Sequence, residues 1–154
     1  MSPLQPWLRF VVPLVLLAPA APVEAFPANL RPIADALEKR GWKVLLKQPP
    51  RKGIYGLANS KKKTIWVHPI TEEMGIMSQT FVHEAVHAVQ SCPDGVLSPI
   101  GWNAQVAPVV EREISAILLK KYRASTRVLE REAFFIQGQR NGPMLILNEL
   151  KKRC

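Results

Sequence analysis

His83-Glu84-Ala85-Val86-His87 is the stretch on which the reading of this chain turns. Two histidines four residues apart share one face of a helix, with side chains roughly 5–6 Å apart. That separation lets two imidazole nitrogens reach one Zn²⁺ at about 2.0–2.1 Å each. Glu84 is rotated about 100° around the helix from His83. It therefore flanks a metal instead of binding it, and is placed to accept a proton from a metal-bound water as general base. The chain has three histidines, and two of them stand in this H-E-x-x-H pattern. The pattern assigns His83 and His87 as metal ligands and Glu84 as the catalytic carboxylate.

Working outward, Thr71 with Glu72 and Glu73 begins a helix that runs through Gln90, with a bend at Gly75. Met77, Thr80, Phe81, Ala85, Ala88 and Val89 give it the apolar surface of a buried helix. Upstream, a first helix over 29–40 places Leu30, Ile33, Ala34 and Leu37 on one face and stops at Gly41. A strand over 42–46 ends at Pro49-Pro50, and a hairpin pairs 53–58 with 64–68 around Asn59-Ser60-Lys61. Downstream, the Pro- and Gly-containing stretch 91–103 reads as a loop. Helices follow over 107–123, with Val109, Val110, Ile114, Ile117 and Leu118 as its apolar face, and over 126–137. Asn141-Gly142-Pro143 breaks the chain before a last helix over 144–152. The order predicts an α+β fold: a small three-stranded sheet packed on the H-E-x-x-H helix, with further C-terminal helices.

Residues 1–25 read as a secretory signal peptide. Arg9 precedes an apolar run over 10–18, and Val23-Glu24-Ala25 offers small residues for cleavage before Phe26. The run is shorter than the roughly 20 residues that span a bilayer, so no transmembrane anchor is expected after cleavage. The rest, 26–154, suits a single domain, secreted or periplasmic. A net charge of +9 favours anionic surfaces without choosing one. Lys61-Lys62-Lys63 and Lys151-Lys152-Arg153 lack interleaved aromatics and give no specific nucleic-acid signal. Trp42, Trp66 and Trp102 read as core or interface anchors. Cys92 and Cys154, an even pair in an exported chain, are expected to form a disulfide that adds about 3–4 kcal/mol.

A catalytic zinc takes three protein ligands and leaves one position for water. The metzincin pattern, with a glycine and a third histidine downstream, is excluded because Gln90 and Pro93 occupy those positions. His68, upstream on the expected strand, is the one other histidine and a minor alternative as ligand, reading better as a surface or substrate-cleft residue; the third ligand is expected to be a carboxylate on a later helix: Glu111, Glu113, Glu130 or Glu132. The H-E-x-x-H-x-x-Q helix ending at Gln90, with the later Glu130-Arg131-Glu132-Ala133-Phe134, resembles gluzincin-type zincin metallopeptidases, in particular small zincin-like proteins. In that group the glutamate three residues before the motif's alanine binds zinc. Carried onto Ala133 the resemblance implies Glu130; carried onto Ala116 it implies Glu113; Glu132 is a further alternative. Relatives often carry an aspartate where this chain has Phe134, so a carboxylate that would orient a ligand histidine is missing.

The resemblance implies hydrolysis of a peptide or protein substrate, with one Zn²⁺ as cofactor and Glu84 as base. Tyr122 and His68, and beyond them Arg127 and Arg131, are candidate donors to the oxyanion. The strand over 64–68 is expected to pair with an extended peptide if it borders the cleft. Two other readings compete: a non-catalytic domain in which zinc fastens helices together, and a basic module that binds an anionic cell-surface polymer.

Overall fold

The computed structural model describes residues 26–154; the signal-peptide reading of 1–25 lies outside them. Helix α1 (Arg31–Glu38) buries Ile33, Ala34 and Leu37, the face that its spacing requires. The chain then turns at Gly41, whose φ of +80° is reached most easily without a Cβ. Strands β1 (Lys43–Leu46), β2 (Gly56–Asn59) and β3 (Thr64–Val67) form one mixed sheet. The spatial order is β1-β3-β2, with β1 parallel and β2 antiparallel to β3. The hairpin is as expected, but its first strand starts at Gly56, and residues 53–55 form a loop instead.

The topology corrects one expectation. Because β3 is paired on both sides, its backbone groups are committed and it cannot receive a peptide by strand addition; the open edge beside it belongs to β2.

Gly75, at φ +68°, does more than bend the next helix. It divides it into a single turn, α2 (Ile70–Glu73), and the long α3 (Met77–Gln90). Most of α3 is buried, including His83, Glu84 and Gln90 among Phe81, Ala85, Val86 and Val89. A loop leads to α4 (Pro108–Lys121), a 3-10 turn over Ala124–Thr126, α5 (Arg127–Gln137) and α6 (Gly142–Arg153). The main core gathers α1, the sheet, α3, the inner face of α5 and α6.

Helix α4 stands apart and packs mainly on α5. With one helical neighbour it buries only Ile114 and Leu118, against Phe135; Val109, Val110 and Ile117 of its expected apolar face are exposed. Cys92, just past α3, is disulfide-bonded to Cys154 at the end of α6. Among the described residues no helix is long and apolar enough to cross a membrane.

Candidate metal centre

Helical spacing puts His83 and His87 on the face of α3 that meets α5, and α5 brings Glu130 against them. His83 Nε2 lies 3.2 Å and His87 Nε2 3.5 Å from Glu130 Oε2. One ligating atom from each residue falls within 4.8 Å of the other two, so the group is able to hold a metal ion.

Each ring is turned by a glutamine. His83 Nδ1 donates to Gln137 Oε1 and His87 Nδ1 to Gln90 Oε1, both at 2.8 Å. A carboxamide oxygen only accepts, so both Nδ1 atoms carry a proton and both Nε2 atoms face the shared site, where each donates to Glu130 when protonated and is free to bind a metal when not. The orientation of Gln90 is fixed in turn, since its Nε2 donates to Leu129 O and to Glu132 Oε2. Partners of this kind set ring direction and ligand basicity. They supply what Phe134 was expected to cost: Phe134 instead packs edge-on against the His83 ring, centroids 4.8 Å apart. Neither glutamine was singled out for this role in the sequence. Gln90 at i+3 from His87 on one helix was a readable signal, whereas Gln137 is 54 residues from His83 and left none.

The four candidate glutamates part company. Glu130 joins the histidines. Glu132, buried on the other side of α5, accepts from the backbone N–H groups of Ile100 (3.0 Å) and Gly101 (2.6 Å) as well as from Gln90. It thus ties the loop after α3 to the helix, outside the three-residue cluster. Glu113 is exposed on α4, and Glu111 pairs with Arg131 at the surface. Arg127 donates to Tyr122 O, and both arginines line a separate groove between α4 and α5. His68, at the end of β3, accepts from the Ile70 N–H and does not line the clefts beside the cluster. Tyr122 lines both of them.

The electrostatics follow from burial and from the charges in contact. Burial raises the pKa of Glu84, assisted by Glu130 and opposed by the two histidines and the Ala58 backbone. Burial opposes charge on His87, but the hydrogen bond to Glu130 and the Glu84 and Glu130 carboxylates outweigh it and push its pKa up to about 9. Burial likewise disfavours ionised Glu130, yet the hydrogen bonds from His83 and His87 bring it down to about 2. Burial, then Glu130 and Glu84, hold the Tyr122 hydroxyl protonated, with a pKa of about 12.

Comparison of the chain with models of protein families, with curated proteins and with solved structures gives no match.

Proposed function

We propose that this chain is an exported zinc-dependent peptidase with a zincin-like arrangement, in which His83, His87 and Glu130 hold the metal and Glu84 is the general base. The observation that carries the reading is the convergence of two oriented Nε2 atoms and one carboxylate oxygen next to a second, buried carboxylate. Two neutral imidazoles and a carboxylate are a donor set suited to zinc. When bound, zinc supplies Lewis acidity toward a carbonyl oxygen and a water acidified to a pKa of about 7.

The protein's own groups do the rest. Glu84, its pKa raised, takes the proton of the attacking water and delivers it to the departing amine. Tyr122, protonated and lining the cleft, donates to the developing oxyanion. Strand β2 is hydrogen-bonded on one side only among the described strands, and Gly56, Leu57 and Ala58 line the cleft. An extended peptide therefore adds beside β2, next to Glu84. Three protein ligands opening on a cleft favour catalysis over a structural zinc, which is normally closed by four. The disulfide and the apolar leader read in the sequence support export.

The test is the zinc content of purified residues 26–154, with hydrolysis of a fluorogenic peptide library. One zinc per chain, lost in Glu130→Ala and kept in a Glu84→Gln protein that no longer hydrolyses peptide, is the expected result. A folded protein that takes up no zinc refutes the reading.

A further inference from the structure

Two cavities meet at the candidate centre, and their walls differ in chemistry. The larger, about 510 Å³, has Ile54, Tyr55, Ile76 and Phe134 on its wall, with Gln79 and Gln137 as its further polar groups. The other, about 210 Å³, contains His87 and Glu130 together with Leu57, Leu97 and Arg51. The two adjoin, since Ile54, Gly56, His83, Glu84 and Tyr122 line both. Glu84 thus stands on the wall between the more apolar chamber and a cleft that carries Arg51.

Arg51 is exposed, and among the described residues none of the ion pairs engages it. Among the described residues it is the only lysine or arginine lining either cavity. Of the carboxylates of that cleft, Glu130 is paired with the histidines and Glu84 lies against Gly56 and the Ala58 backbone, leaving the guanidinium available to an incoming anion. A guanidinium matches a carboxylate through two parallel hydrogen bonds. On the other side Tyr55 leaves 48% of its surface exposed while lining the more apolar chamber, a cost in water that a bulky apolar group would remove.

We infer that the site selects peptides that place a bulky apolar side chain in the Ile54–Tyr55–Phe134 chamber and a carboxylate on Arg51, on opposite sides of the bond cleaved. The inference rests on the peptidase reading for the word cleaved, and on cavity geometry for the two subsites. The carboxylate comes either from an Asp or Glu side chain or from the peptide's own C-terminus; the chemistry recognised is the same.

The experiment uses zinc-loaded protein and three matched peptides, each with a central aromatic residue. One carries a neighbouring Asp and a C-terminal amide, one has Asn for Asp with a free C-terminal acid, and one has Asn with the amide. Cleavage is followed by mass spectrometry in the wild type and in Arg51→Ala. Binding of the same peptides is measured in Glu84→Gln, with and without Arg51→Ala. The expected result is a preference of about 10- to 100-fold for one acidic peptide over the Asn amide, the size of one charge-assisted contact. The preferred peptide identifies the source of the carboxylate. In Arg51→Ala the preference collapses toward one through KM. Equal handling of all three peptides by the wild type, or a preference that survives Arg51→Ala, overturns the inference. Selective binding without cleavage would sink the peptidase reading while leaving the two subsites standing, and absence of binding would overturn the subsites themselves.

Discussion

Gly56 and Glu84 are in contact so close that no side chain fits between them: a Cβ on Gly56 would lie 2.6 Å from Glu84 Oε1 and 2.8 Å from its Cγ. The Thr80 methyl carbon, one turn earlier on α3, would be 2.8 Å away. The edge strand β2 therefore rests directly on the helix that carries the proposed base, and the absence of a side chain at 56 lets the Glu84 carboxylate lie against the strand.

Gly56→Ala is expected to displace that carboxylate or push β2 off the helix, because its neighbours are held by the core on one side and the sheet on the other. The cost is about 1–3 kcal/mol of overpacking. Peptide hydrolysis should fall by at least about 100-fold, since misplacing a catalytic group by about 1 Å is enough for that. Zinc content should be retained, because the atoms nearest the new methyl belong to Glu84 and Thr80 and not to His83, His87 or Glu130. Loss of zinc in step with activity would show that Gly56 serves the fold and not the base.

Gln137→Ala and Gln90→Ala each remove the acceptor that turns one imidazole. Zinc affinity is expected to weaken by about 10- to 100-fold in either variant. Competition with a chromogenic chelator reads this directly. Gln90→Ala should also lower the melting temperature, as it takes a buried donor from the Leu129 carbonyl and one of two donors from Glu132 Oε2, which keeps the Ile100 N–H. Gln137 is partly exposed, so its variant should melt near the wild type. Unchanged affinity in both would mean that the histidines are oriented by packing alone.

The contrast between Glu132 and Glu113 tests how two of the candidate glutamates were separated. Glu132→Ala leaves the N–H groups of Ile100 and Gly101 without their acceptor and takes one of two acceptors from the Gln90 amide, and should destabilise by about 3–5 kcal/mol. Glu113→Ala, on the exposed side of α4, should stay within about 0.5 kcal/mol. Urea unfolding of the two variants side by side is sufficient. A mild effect of Glu132→Ala would indicate that the loop after α3 is held by its own turns.

How far the sequence reached depends on the range of the interaction involved. The histidine pair was legible because i and i+4 share a helix face in any fold, and the α1 face of Leu30, Ile33 and Leu37 because helical periodicity is local. Glu130 needed more. Four glutamates were chemically equivalent, and only the packing of α5 on α3 turns Glu130 toward the histidines and Glu132 away from them. The parallel pairing of β1 with β3 was not legible, since nothing local distinguishes it from a meander. The need for glycine at position 56 was also hidden, because it arises from a helix that enters the chain twenty residues later. The overestimated apolar face of α4 has the same origin. Periodicity shows which residues are able to be buried, and the number of neighbouring elements decides how many are.

Replacing Cys92 and Cys154 by serine releases a crosslink that spans 62 residues. Loop closure of that length is worth about 4 kcal/mol. The double variant should unfold at correspondingly lower urea, with reduction of the wild type giving the same shift. Zinc affinity should fall less than in the glutamine variants, because neither cysteine contacts the cluster. An equal loss of zinc would mean that the end of α3 is ordered by the bond.

The His87–Glu130 pair gives the metal-free protein a pH dependence of definite sign. The pKa of His87 is raised from 6.5 to about 9, so its pairing stabilises fully below pH 6.5 and is lost as pH rises through about 9. That of Glu130 is lowered from 4.5 to about 2, so its contribution is present above pH 4.5 and lost as pH falls through about 2. Both act together between pH 4.5 and 6.5. Glu84, raised by burial, also loses stability as pH climbs past 4.5 and steepens the alkaline decline. The metal-free protein should therefore be most stable in mildly acidic solution and weaken toward pH 9. Zinc reverses the trend, because it needs His87 without its proton. Binding near pH 7.5 should release about one proton from His87, measurable by calorimetry in buffers of different ionisation enthalpy. Glu130→Gln should flatten the metal-free profile between pH 6.5 and 9. A wild-type profile already flat over that range would show that the histidine and the glutamate are not paired when the metal is absent.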